Sequence, residues 1–205
     1  MFFLSTADIE KQIANYTLQF DSLKDEEIEW RYRPPPFVAA FIEFIEKFRR
    51  IPAQTEFVDS YVERNRAALN DEFLHKWDRA HRAQKKRALI ARLRRAYPSF
   101  VRDVYLLVLL RENGWQVEYD PGQDVAGGVD LIVSRAQKRV QVHVFLDSPR
   151  AKRGRAKKER RHVFVGKHLD LVLGRAQCKI VGEFWLPTRE HAQQIQRALE
   201  QAGGE

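Results

Sequence analysis

The feature that most constrains this chain is a change of hydrophobic period just after residue 97. The stretches SFVRDVYLLVLLRENGW, GVDLIVS and KRVQVHVFLDS follow one another in that order. The first repeats apolar residues at helical spacing and ends at Gly114, a residue suited to a helix C-cap. The other two are short, rich in β-branched residues and bounded by turn formers, which is the pattern of strands. A helix followed by paired strands has to bury its apolar face against a sheet. Four polar residues are carried on these elements: Asp103, Asp130, Gln141 and His143.

Before residue 98 the chain reads as helical. Ser5 and Asp8 have the form of a capping box, with Ile9, Ile13, Tyr16 and Phe20 following at helical spacing. Pro34, Pro35 and Pro36 separate this element from an apolar stripe of Phe37, Phe41, Phe44, Ile45 and Phe48. Pro52 ends that helix and Thr55 is the expected cap of the next. The break RIPAQT has the outline of a helix-turn-helix, but Glu56, Asp59 and Glu63 make the second helix acidic where a recognition helix is basic. A long basic helix is expected over 70–97, with Phe73, Trp77, Ala80, Ala88, Leu89 and Leu93 as its contact face.

Tyr97-Pro98-Ser99 reads as a domain boundary. Beyond it we expect a helix over 99–113 and strands over 115–119, 129–134 and 139–146. A turn-rich loop covers 120–128, and a basic loop and helix follow the third strand. Further strands are expected over 168–173 and 179–186, with a last helix capped by Thr188. The expected fold is α+β. An all-helical domain over residues 1–97, for protein interaction or DNA clamping, precedes an α/β domain over 98–205.

The 205 residues, 44% hydrophobic and 11% aromatic, suffice for a packed core. One cysteine, Cys178, excludes an intrachain disulfide and fits a reducing cytoplasm. The start, MFFL, is too short for a signal peptide, and the longest apolar run, Val104 to Leu110, falls far short of the roughly 20 residues that span a bilayer. We therefore expect a cytoplasmic protein with no membrane partner.

The net charge of +8 is concentrated. One basic run, from Lys76 to Arg95, includes Lys85, Lys86 and Arg87. A second comprises Arg150, Lys152, Arg153, Arg155, Lys157, Lys158, Arg160 and Arg161. Acids collect instead between Asp21 and Glu29. Paired basic runs suit a polyanion, because each neutralised phosphate releases counterions. DNA is the expected partner, with RNA second. No P-loop, dinucleotide fingerprint or nucleophile elbow is present. His162, His168, Asp170 and Cys178 fit no zinc spacing.

In order and spacing, Asp103, the run Gly128-Val129-Asp130-Leu131-Ile132 and Gln141-Val142-His143 resemble the PD-(D/E)XK nuclease superfamily, particularly its resolvase-like and Mrr-like members. The resemblance covers about residues 98–186. It implies a restriction-endonuclease-like core with a mixed central sheet, an acid on the first helix at Asp103 and a strand acid at Asp130. Gln141 and His143 fall where that family has (D/E)-x-K. The resemblance thus implies catalytic positions at Asp103, Asp130, Gln141 and His143, and Mg²⁺ or Mn²⁺ held by Asp130 and Gln141 if the protein is active. In such enzymes carboxylates and metal position a water and neutralise charge on the phosphate. Gln141 offers a neutral oxygen in place of a carboxylate, and a histidine is not a permanent charge at neutral pH.

The expected function is therefore a DNA-binding, nuclease-like protein: a metal-dependent endonuclease or resolvase in recombination, mobile-element or defence processes. The alternative is an inactive relative serving as a DNA-binding or scaffolding subunit. A protein partner on the helical half and a homodimer are further expectations.

Overall fold

The computed structural model of the protein describes residues 4–119, 129–135, 137–149, 152 and 167–201. It is α+β, with a helical N-terminal region followed by a mixed four-stranded sheet. Helix α1 (Thr6–Ile13) opens on the expected capping box between Ser5 and Asp8, and buries Ile9 and Ile13. It ends earlier than its apolar spacing suggests. Tyr16 lies beyond it, with its hydroxyl donating to Ile51 O at 2.8 Å, and Phe20 is exposed. A single turn of π-helix covers Glu27–Arg31.

Helix α2 (Phe37–Phe48) starts directly after Pro36, where a missing N–H costs nothing, and closes on Arg49 in the left-handed conformation. Helix α3 (Gln54–Arg64) begins one residue before Thr55, so Thr55 is not its cap. Glu56 supplies the acceptor instead, taking the Ala53 N–H at 3.3 Å. The basic helical pattern over 70–97 divides into α4 (Arg66–Lys76) and the start of α5 (Arg79–Glu112). Trp77 leaves the helix, and the Asp78 side chain caps the next by accepting from His81 N at 3.0 Å. Ala80, expected on the contact face, is exposed just past this break.

Helix α5 spans Tyr97-Pro98-Ser99, where the sequence suggested a break between two helices. It runs unbroken through Pro98 for 34 residues. A proline in a helix interior leaves the carbonyl four residues earlier without its donor. Here that carbonyl is Arg94 O, and it accepts from the Gln54 side chain at 2.9 Å. The same buried amide accepts from Gln19 N at 2.6 Å. Every residue from Val104 to Leu110 is buried, so the second half of α5 is a central helix surrounded by protein. It ends in a Schellman motif: Gly114, at φ +78°, donates to Arg111 O, and Trp115 donates to Leu110 O.

Strands β1 (Gln116–Glu118), β2 (Leu131–Arg135), β3 (Lys138–Leu146) and β4 (His168–Leu173) form the sheet in that order. The first two pairings are antiparallel and β3–β4 is parallel. The expected single strand over 179–186 is a hairpin, β5 (Lys179–Val181) and β6 (Phe184–Leu186). Gly182 turns it at φ +55°. Helix α6 (Arg189–Gln201) follows and packs on β3 and β4. The expected loop over 120–128 lies outside the described residues, as does nearly all of the basic stretch after Pro149.

One apolar core joins both halves. α5 touches α1, α2, α3, α4, β1 and β6. Edge-to-face aromatic pairs continue the link, Phe41 to Tyr97 at 5.8 Å and Tyr97 to Phe184 at 6.0 Å. No helix among the described residues is long and apolar enough to cross a membrane.

Candidate phosphodiester and nucleic-acid site

Strand pairing brings three of the four expected site residues to one face of the sheet. Leu131 pairs with Val142, which sets Asp130 opposite His143. Residues two apart on a strand point the same way, so Gln141 and His143 share a face while Val140, Val142 and Val144 are buried on the other. His143 Nδ1 lies 2.8 Å from Asp130 Oδ2. The contact is close, but its geometry is not that of an aligned hydrogen bond. Asp130 Oδ2 also accepts from Val144 N at 2.6 Å. His143 is only 7% exposed, so this face is not a solvated strand surface.

The parallel register adds two residues that the sequence reading set aside. His168 stands beside Gln141, and Asp170 beside His143. His168 Nε2 lies 2.8 Å from Asp170 Oδ1. Their i, i+2 spacing in HLDLVL was the available signal. Their place beside β3 depends on a parallel pairing that no local pattern encodes.

Asp103 is half-buried on α5, and its neighbour Arg102 proves to be the more telling residue. Arg102 is 8% exposed. Burial pushes its guanidinium below the ordinary value, opposed by the charges of Asp103, Cys178 and Asp130. Asp103 and Asp130 thus lie within electrostatic reach of one buried cation. Burial likewise pushes the Cys178 thiol up, against the pull of Arg102. A charge set between Val101 and the apolar run from Val104 was the sequence signal for Arg102.

These donors suit a divalent cation poorly. Asp130 Oδ2 already serves an amide and approaches an imidazole, Gln141 contributes no charge, and Arg102 is a fixed cation nearby. Mg²⁺ favours carboxylates with room for its retained waters. Among the described residues, no three His, Cys, Asp or Glu side chains are grouped as metal ligands. Lys138 donates to Glu200 O at 3.1 Å, and Lys152 pairs with Asp147 at 2.6 Å.

The basic run on α5 divides by face. Lys85 lies 2.9 Å from both Asp25 Oδ1 and Glu27 Oε2. Burial works against its charge, but the bonds to Glu27 and Asp25 outweigh it and hold the ammonium above its ordinary value. Arg95 pairs with Glu29, and Arg92 donates to Ile28 O. The acidic segment over 21–29 is therefore the internal counter-charge of this helix. Lys86 and Arg87 stay exposed, Lys86 donating to Asn70 Oδ1 at 2.9 Å. Arg79 is exposed on the same helix. Of the second run, Arg150, Arg153, Arg155, Lys157, Lys158, Arg160 and Arg161 lie outside the described residues.

In comparisons with known proteins, no family model, no curated protein and no solved structure matches this chain.

Proposed function

We propose that this protein binds DNA through a nuclease-like α/β core, and does so as a DNA-binding or scaffolding subunit without cutting. One observation carries the reading: the strand acid Asp130 is engaged by His143 at 2.8 Å and by the Val144 amide at 2.6 Å. Gln141 beside it is neutral. Such a site retains the outline of the PD-(D/E)XK arrangement without the charge that gathers Mg²⁺ or Mn²⁺. The exposed cations Arg79, Lys86 and Arg87 supply sequence-independent attraction to phosphates. The run from Arg150 to Arg161 follows β3 directly in sequence and adds to that attraction. A protein partner on the helical half fits the same role.

A second reading, a metal-dependent DNA endonuclease, is favoured by the convergence of Asp130, Gln141 and His143 on one sheet face. It needs Mg²⁺ or Mn²⁺ on Asp130 and Gln141.

Linear, supercoiled, single-stranded and branched DNA separate the two readings when incubated with the wild type and with Asp130→Ala, in Mg²⁺ and then Mn²⁺. The expected result is salt-dependent binding by both proteins and no metal-dependent cleavage. Cleavage by the wild type that the variant loses would establish the endonuclease instead.

A further inference from the structure

A groove of about 480 Å³ runs between α5, the π-helical turn and the C-terminal end of β3. Glu29, Arg92, Arg95, Arg102, Val144 and Phe145 are among the residues that line it. Among the described lining residues, three arginines stand against one carboxylate, Glu29, which is paired with Arg95. Arg92 and Arg95 are held by backbone carbonyls, Ile28 O and Tyr32 O for the first, Asp21 O and Leu23 O for the second. These bonds fix two cations in the wall of the groove.

Arg102 has no such holder. It is 8% exposed, and its Nε is buried with no acceptor. No hydrogen bond or ion pair joins it to a described residue; Asp103 and Asp130 act on it only through the field. Arg95, two turns earlier on the same face of α5, carries a second buried Nε with no acceptor. Unmet donors on a buried guanidinium are costly to keep. A water accepts from such a donor but returns no charge. An oxyanion does both, and its oxygens match the planar fork of an arginine.

We propose that this groove binds a tetrahedral dianion, either a free phosphate or sulfate or a terminal phosphate ester, seated on Arg102. The charge of the wall selects that class. Three arginines less one carboxylate leave two positive charges among the described lining residues. A dianion balances both, whereas a carboxylate or a chloride balances one. A phosphodiester also carries a single charge, so the interior of a nucleic-acid backbone matches the wall less well than a phosphorylated end. Asp103 and Asp130 are not part of the lining, and Asp130 Oδ2 accepts from the Val144 amide. The volume lies within the roughly 300–1,000 Å³ range of small-ligand sites, which leaves room for the waters or the group that the anion brings. The inference goes beyond the DNA reading above and does not rest on it, because the anion needs no strand attached.

Equilibrium dialysis and thermal unfolding of the full chain test it, in sulfate, phosphate, acetate and chloride at matched ionic strength and at about pH 8, where phosphate is a dianion. Sulfate and phosphate are expected to raise Tm and to bind about tenfold more tightly than acetate. Arg102→Met is expected to weaken sulfate binding about tenfold and to remove the sulfate-specific rise in Tm. Its own Tm in chloride should not fall, because it removes a buried charge with unmet donors. Equal stabilisation of the wild type by sulfate and acetate overturns the inference, and needs no variant to fold. Unchanged sulfate affinity in Arg102→Met overturns it as well. Labelled oligonucleotides with a 5′-phosphate and with a 5′-hydroxyl distinguish the sources by fluorescence anisotropy. Tighter binding of the phosphorylated end by the wild type, but not by Arg102→Met, assigns the site to a terminal phosphate; equal binding of the two assigns it to the free anion. A wild type that binds sulfate but neither oligonucleotide supports this site and overturns the DNA reading alone.

Discussion

Gln54 shows how much one side chain can decide. It is 2% exposed and links three segments, through Gln19 N, Gln19 O and Arg94 O. Gln54→Ala leaves those partly buried backbone groups without this partner, and is expected to cost about 2 kcal/mol in urea unfolding. His191 makes a comparable contribution on α6. Its Nδ1 accepts from Thr188 N at 2.9 Å, which requires the neutral ring at that nitrogen. Burial pushes its imidazole below the ordinary 6.5, only partly opposed by Glu190. The unfolded chain then binds the proton more readily than the folded one. This contribution to stability is full above about pH 6.5 and is lost as pH falls toward the folded value. Tm should therefore decline in that window. His191→Gln, which keeps an acceptor at the third helical position, should flatten the decline. At the candidate site, Gln141→Glu places a carboxylate beside Asp130. It is expected to give Mn²⁺ binding measurable by calorimetry and tighter than in the wild type.

At the scale of elements, α5 and the hairpin are the informative cases. Pro98 remains inside α5 because Gln54 occupies the carbonyl that the proline leaves open. The two positions should therefore be coupled. Pro98→Ala restores an N–H for Arg94 O, so Gln54→Ala is expected to cost about 1 kcal/mol less in that background, as a double-mutant cycle would measure. In the hairpin, a Cβ at Gly182 would meet Ala14 O at 2.8 Å and Ile13 O at 3.0 Å. Both acceptors are backbone atoms at the end of α1, which cannot swing aside as a side chain does. With φ at +55°, Gly182→Ala is expected to cost about 2 kcal/mol in chemical denaturation. The same contact explains why an eight-residue run of strand-like sequence folds as two short strands: its turn docks on α1.

For the whole molecule, the shared core means that a cut at residue 97 divides a helix and exposes the apolar face of its second half. A fragment of residues 98–205 is expected to lack a cooperative thermal transition, whereas the full chain should unfold in one step. Local chemistry made much of this protein legible beforehand. The capping box at Ser5, the stop at the prolines, the glycine end of α5 and the alternation of β2 and β3 are all written in residues a few positions apart. So was the common face of Gln141 and His143, because a strand has a period of two. The sequence by itself therefore determined the α+β class and most of the elements. Only the tertiary structure decided that Pro98 is tolerated, that the acids over 21–29 neutralise part of the basic helix, and that Arg102, His168 and Asp170 join the neighbourhood of Asp130. Each of these depends on groups far apart in the chain meeting in space, and on whether burial leaves a charge or a carbonyl with a partner.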